Sequence, residues 1–143
     1  MVMLYNEKQL VNFPFLSVLE MVLFGGKQLS ILVNGVKAVP LFMAKKEVFA
    51  WLKAGIKTID VRKGRPRHGE VAIFQSGANN LELSIVKKEI GALTEVITQE
   101  NFRSIIPIAK QLNDAVDYLQ AIYGTKEGVF TAYHLTQMKK TVN

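Results

Sequence analysis

Residues 54–64 read Ala-Gly-Ile-Lys-Thr-Ile-Asp-Val-Arg-Lys-Gly, and this stretch decides how the rest of the chain is interpreted. Gly55 is typical of a helix end, and the side chains that follow alternate in polarity as in a strand. Successive side chains of a strand point to opposite faces, so Asp60 and Arg62 share one face with Thr58. Lys57 stands where the strand begins, and a bend there can direct its long side chain to either face. The pattern predicts a cluster that binds a phosphate or a base edge, with Asp60 holding the cations in position.

A purely structural interpretation of the same residues stays open. Asp60 and Arg62 would then form an ion pair on the sheet that has no role in binding. The pattern alone does not separate the two interpretations.

The positive charge of the chain is concentrated in residues 45–68, called the basic segment below. The whole chain carries a formal charge of +6. Eight cations stand in the basic segment against Glu47 and Asp60, a net +6, and elsewhere ten cations cancel ten anions. Such a bias concentrates phosphates near the surface and predicts a partner that is a polyanion such as RNA. The alternative is a solvated face that keeps the protein soluble. The eight cations are Lys45, Lys46, Lys53, Lys57, Arg62, Lys63, Arg65 and Arg67.

Upstream of this segment, the sequence predicts a helix and then a hairpin. Residues 13–24 are apolar nearly all round, follow Asn12 as an N-cap and stop at two glycines, which favours a short helix. Asn34-Gly35 separates two apolar runs and predicts a hairpin with a type I′ turn. Pro40 in the second strand predicts a sheet edge.

Downstream, strands and short helices alternate. We expect a helix over 45–54, strands over 58–62 and 70–75, and a strand in which Leu81, Leu83 and Ile85 point inward. Thr98 and Asn113 are expected to cap two helices, with Phe102, Ile105 and Ile106 inside the first and Val116, Leu119, Ile122 and Tyr123 inside the second. A strand over 128–135 ends the series. This order predicts an α+β fold with a small mixed barrel or curled sheet.

The spacing Gly55-x-Lys57-x-x-Asp60-x-Arg62 resembles the GxKxxExR signature of ASCH (activating-signal-cointegrator homology) domains, which have a PUA-like barrel fold. The similarity covers roughly residues 38–136. The resemblance implies a PUA-like ASCH domain over 38–136, an extension of a helix and a hairpin strand over 1–37, and a tail over 137–143. Asp60 stands where the family usually has glutamate, which keeps the charge but shortens the reach by one methylene.

The family resemblance implies a protein that binds RNA or a modified nucleoside in a basic cleft. Lys57, Asp60 and Arg62 would shape the pocket. A bacterial branch of the family hydrolyses N4-acetylcytidine with the signature lysine, a threonine three residues later and a distant glutamate. Lys57 matches that lysine, whereas Asp60 occupies the threonine position and Thr58 is displaced by two residues. The expected phosphate contacts are Lys45, Lys46, Lys63, Arg65 and Arg67.

Two other functions remain open. An amidohydrolase or a nuclease could use Lys57 and Asp60, and would need a third polar residue such as Glu70 or Glu82 nearby. A protein–protein module could use the apolar helix predicted over 13–24, including as a homodimer interface.

Several classes of site and location are disfavoured by composition. The chain has no cysteine, which excludes disulfides and thiolate metal sites. His68 and His134 lie far apart, so no metal site and no cofactor is expected. Trp51 shares a helix face with core residues, although it could stack on a base. No run is long enough to span a membrane, and a cytoplasmic location is expected.

Overall fold

The computed structural model describes the backbone of residues 19–24, 28–33 and 37–139, and the side chains of residues 39–139. Short helices separate and cover the strands of a single mixed sheet. In chain order the elements are β1 (Leu19–Phe24), β2 (Gln28–Val33), β3 (Lys37–Met43), α1 (Lys46–Ala54), β4 (Ile59–Lys63), β5 (Val71–Ser76), β6 (Asn79–Gly91), α2 (Leu93–Val96), α3 (Phe102–Ile105), α4 (Leu112–Tyr123) and β7 (Phe130–Gln137).

The described strands form a sheet in the order β1-β2-β3-β5-β6-β7-β4. The β3–β5 pair is parallel and the other pairs are antiparallel. Five of the strands, from β3 to β4 in this order, curl into a half-barrel, and β6 bends at a register shift between Ile85 and Lys87. The predicted α+β class is confirmed, and the curled sheet with short helices is consistent with a small PUA-like barrel.

The sheet has a hydrophobic core on each face. Inside the curl, Phe42 and Phe74 pack with Tyr133 beneath α1. On the outer face, Ile59 and Val61 pack against the three C-terminal helices. Because neighbouring residues of a strand point to opposite faces, β4 contributes to both cores and presents Asp60 and Arg62 to the inner one.

The helix predicted over residues 13–24 is wrong where the structure describes it. Residues 19–24 form strand β1, which pairs with β2 so that Leu19 lies opposite Val33. Residues 12–18 lie outside the described residues. A run that is apolar on every side has no 3.6-residue period, so periodicity cannot distinguish a helix from a strand that gains a partner. The homodimer contact expected through residues 13–24 stays a prediction.

The predicted hairpin is confirmed as the antiparallel pair β2–β3. Val33 lies opposite Lys37, so three residues rather than two separate the paired positions. The turn itself, at 34–36, lies outside the described residues. Pro40 does not mark a sheet edge, because β3 lies between β2 and β5. It stands instead where β3 exchanges partners, from β2 up to Pro40 to β5 from Leu41 onward.

The helices follow the predictions with three corrections. Helix α1 ends at Gly55, whose φ of 77° lies in the left-handed region. Helix α2 was not predicted. Helix α4 starts at Leu112 rather than after Asn113, because the Asp114 carboxylate accepts hydrogen bonds from the N–H groups of the two residues before the helix. Ile122 is 38% exposed and not inside.

The helix over 102–105 keeps its predicted inward residues. Phe102, Ile105 and Ile106 are all buried. Thr98 closes the turn ahead of this helix rather than capping it directly, because its hydroxyl accepts a hydrogen bond from the Asn101 N–H at 3.3 Å. None of the described helices is long and apolar enough to cross a membrane.

Candidate functional site at the edge of the half-barrel

Lys57 is buried beneath the end of α1, with 3% of its surface exposed. The left-handed turn at Gly55 folds the chain back, and the Lys57 N–H donates to the Trp51 carbonyl at 3.2 Å. Its Nζ donates to the carbonyls of Ile59 (2.9 Å) and Ile105 (2.6 Å) and lies 3.5 Å from Asp60 Oδ1. Two of the three ammonium N–H bonds thus donate to backbone carbonyls, and Asp60 lies at ion-pair distance from the same group.

Asp60 is the counter-ion that holds two cations together. It is 4% exposed, and its Oδ2 accepts a 2.6 Å hydrogen bond from Arg62 Nε. Burial by itself would raise the pKa of the Asp60 carboxyl, but the charges and hydrogen bonds of Arg62 and Lys57 outweigh burial and lower the pKa. The Asp60–Arg62 ion pair of the structural interpretation is therefore present, within a buried trio that also includes Lys57.

Arg62 and Arg67 close the open edge of the half-barrel. Just after β3, the Ala44 N–H donates to the Gln75 carbonyl of β5 at 2.8 Å. Because the backbone groups of successive strand residues point to opposite sides, the carbonyls of Leu41 and Met43 point away from β5. Arg62 Nη1 donates to the Met43 carbonyl and Arg67 Nη1 to the Leu41 carbonyl, each at 2.9 Å. These two guanidinium groups satisfy backbone acceptors that have lost β2 as a partner.

The ring of Phe42 contacts the same two arginines. The guanidinium carbon of Arg62 is 4.8 Å from the ring centroid of Phe42, and that of Arg67 is 4.7 Å away. The backbone N–H of Arg67 also donates to the Tyr133 hydroxyl at 2.9 Å. Hydrogen bonds and cation–π contacts thus fix both guanidinium groups at this seam.

A cavity of about 70 Å³ opens beside the trio. Its floor is formed by Lys57, Asp60 and Arg62, and it is bounded by the start of α1 and by α4. Met43 and Ile122 stand at its rim with 62% and 38% of their surfaces exposed. The remaining lining residues are Ala44, Lys45, Val48, Val61, Ile106, Tyr118, Leu119 and Tyr123.

The free edge of β4 faces this cavity. The backbone groups of the even-numbered residues form hydrogen bonds with β7, and the Leu135 N–H likewise donates to the Thr58 carbonyl. The backbone groups of Ile59 and Val61 therefore point away from β7. Lys57 Nζ donates to the Ile59 carbonyl, and the Tyr123 hydroxyl donates to the Val61 carbonyl at 2.9 Å. Burial raises the pKa of Tyr123 to about 12, which keeps its hydroxyl protonated as a donor.

The structure does not gather all the cations of the basic segment at one place. Lys45 lines the cavity, with its Nζ 5.9 Å from the ring centroid of Tyr118. Arg67 is half-buried at the seam, whereas Lys46, Lys63 and Arg65 are exposed. Three of the eight cations are thus engaged inside the fold.

An enzyme was expected to use a third polar residue such as Glu70 or Glu82. Neither Glu70 nor Glu82 lines the cavity. Sequence reasoning missed Tyr118 and Tyr123, which reach the cavity from α4. Their spacing of five residues gave no signal, because their position depends on how α4 packs on β4. The Tyr118 hydroxyl donates to Glu47, which joins α4 to the first turn of α1.

The histidines and Trp51 play no part in this cavity. His68 is exposed, and His134 Nε2 lies 2.9 Å from a Glu89 carboxylate oxygen on the neighbouring strand. Trp51 is half-buried, with its ring centroid 6.0 Å from that of Tyr118. Within residues 39–139, no group of three or more His, Asp or Glu side chains is placed to hold a metal ion.

The fold of the chain is similar to that of a solved protein. Family models and curated proteins provide no match to this sequence. A solved structure titled "Crystal structure of hypothetical protein PH0355" is similar to the chain with a TM-score of 0.57 and 18% identity. The match covers 68% of this chain and 97% of that one. At this identity the likeness shows the fold alone, and it agrees with the small barrel-like architecture.

Proposed function

We propose that this protein is an ASCH-like domain of the PUA-like superfamily that binds RNA or a modified nucleoside at the cavity beside Lys57. One observation carries the proposal. The three charged residues of the signature, Lys57, Asp60 and Arg62, lie in contact with one another and form the floor of one cavity. A structural ion pair on a solvated face would not need a buried lysine or an adjoining cavity.

The charge balance of the cavity supports an anionic ligand. Two cations and one carboxylate leave one positive charge in excess in the buried trio, and Lys45 adds another at the rim. Exposed Lys46, Lys63 and Arg65 extend the positive field beyond the cavity. Phosphates are attracted to such a surface in a salt-dependent manner.

The exposed cations give a direct test of RNA binding. Each phosphate contact to a single strand contributes about 0.7 to the slope of log affinity against log salt concentration, so Lys63→Ala with Arg65→Ala should lower that slope by about 1.4. Fluorescence anisotropy with a labelled RNA at several salt concentrations measures the slope. Lys110→Ala, an exposed cation outside the basic segment, is the matched control and should leave it unchanged. Arg67 is unsuitable for this test because it also closes the barrel seam. An unaltered slope in the double variant would remove the 63–65 loop from the interface.

The hydrolase alternative depends on the protonation state of Lys57. Burial lowers the pKa of Lys57, and the Asp60 charge opposes this shift. A lower pKa favours the neutral amine that amide hydrolysis needs, but the Lys57 amine is buried and donates to two backbone carbonyls, and Asp60 supplies no hydroxyl nucleophile. We therefore expect no turnover when purified protein is incubated with N4-acetylcytidine and cytidine release is followed by chromatography. Release well above the blank, abolished in a folded Lys57→Met variant, would make the enzyme the better interpretation.

A further inference from the structure

Among the polar groups that face the cavity beside Lys57, available hydrogen-bond donors outnumber available acceptors. Both oxygens of Asp60 contact a cation, and the carbonyls of Ile59 and Val61 on the free edge of β4 accept bonds from Lys57 and Tyr123. The acceptors of the floor are thus occupied by the protein itself.

Donors remain at the same place. Arg62 uses Nε for Asp60 and Nη1 for the Met43 carbonyl, and its Nη2 has no acceptor among the described residues. The Val61 N–H points from the free edge of β4, away from β7, and likewise meets no described acceptor. Lys45 adds an ammonium group at the rim. The Watson–Crick edge of a base mixes donors and acceptors, whereas a phosphate offers acceptors only.

The size of the cavity limits what enters it. Pockets that enclose a whole drug-sized ligand measure about 300–1,000 Å³. The cavity here measures about 70 Å³, and its floor is closed by buried Lys57 and Asp60. A closed floor suits a group at the end of a chain, because an internal phosphodiester must leave room for the chain on both sides.

The rim suits the remainder of a nucleotide. Met43 and Ile122 expose apolar surface beside the Tyr118 ring, next to a floor that is charged. Apolar and aromatic side chains pack on the faces of bases with little regard to sequence. The base would therefore lie at the mouth while the phosphate lies on the floor.

From these observations we propose that the cavity binds a terminal phosphate monoester, at a nucleotide or at a phosphorylated RNA end, with Arg62 and the Val61 N–H as donors. The inference rests on the proposed nucleic-acid function and specifies which part of the ligand enters the cavity.

Three RNAs of one sequence test this proposal. They carry a 5′-phosphate, a 3′-phosphate or hydroxyls at both ends, and their affinities are compared by anisotropy at one salt concentration. One phosphorylated form should bind about tenfold more tightly than the unphosphorylated one, since a charge-assisted pair of hydrogen bonds is lost without the phosphate. Which form gains identifies the end. Inorganic phosphate should compete with that form and leave the affinity of the unphosphorylated RNA unchanged.

Variants separate the cavity from the general surface. Lys45→Ala, at the exposed rim, should reduce the advantage of the phosphorylated RNA severalfold, while Lys110→Ala should preserve it. Arg62→Lys keeps the charge but removes the planar fork, and should abolish the advantage if the variant stays folded by circular dichroism. Equal affinity for the three RNAs with an ordinary salt slope would overturn the terminal-phosphate proposal and leave RNA binding intact. Failure of all three RNAs to bind at low salt would overturn both.

Discussion

Asp60→Asn is expected to lower the free energy of unfolding by about 3–5 kcal/mol, because removing one partner of a buried ion pair leaves charge uncompensated. Lys57 and Arg62 would then face each other without the carboxylate that now lies 3.5 Å from one and 2.6 Å from the other. Urea denaturation at neutral pH, followed by circular dichroism, measures the difference. Asp117→Asn changes an exposed carboxylate on α4 and should remain within about 0.5 kcal/mol of the unaltered protein.

The pH dependence of this loss has a definite sign. The folded-state pKa of Asp60 lies below its ordinary value of 3.8, so the stabilisation is complete above pH 3.8 and is lost as the pH falls through the folded pKa. The difference in stability between the unaltered protein and Asp60→Asn should therefore be constant near neutrality and shrink in acid below 3.8. A gap that did not change with acidification, or one under 1 kcal/mol at neutral pH, would contradict the coupling of the trio.

Phe42→Ala should cost about 3–5 kcal/mol of stability, in the range of other buried phenylalanine truncations. Phe42 is 1% exposed, and its ring centroid lies 5.4 Å from that of Phe74 and 5.0 Å from that of Tyr133. The ring also carries the guanidinium groups of Arg62 and Arg67, so its loss leaves the seam of the half-barrel without its apolar support.

The neighbouring residue provides the control for this experiment. Met43 belongs to the same strand but is 62% exposed, so Met43→Ala should change the melting temperature little. Phe42→Leu, which keeps part of the volume, should fall between the two. Equal effects of Phe42→Ala and Met43→Ala would show that the inner core does not depend on the ring.

Much of the site could be predicted because it depends on local spacing. The period of two in residues 58–62 places Asp60 and Arg62 on one face whatever the strand pairs with. The left-handed glycine at the end of α1 likewise follows from sequence, and it turns Lys57 toward the same face. The hairpin β2–β3 was indicated by two apolar runs around Asn34-Gly35.

The parts that could not be predicted depend on distant pairing. Arg67 was expected on a phosphate-binding loop, but its guanidinium donates to the Leu41 carbonyl, which lacks a strand partner only because β3 changes neighbours at Pro40. Tyr123 reaches Val61 because α4 packs against the outer face of β4. Strand β1 carries no periodicity that distinguishes it from a helix, and its pairing with β2 is what settles its conformation.

The pairing of β4 with β7 also sets the order in which the site can form. Ile59 lies opposite His134, and β4 has no other strand beside it in the sheet that the structure describes. In a chain synthesised from its N-terminus, the strand that carries Asp60 and Arg62 therefore has no strand partner until β7, the last of the described strands, has been made. Closing such a long loop is slow relative to local contacts. Substitutions in β7 that touch no site residue should delay assembly of the cavity, and a nascent chain released before β7 would leave its cations without the scaffold that pairs them.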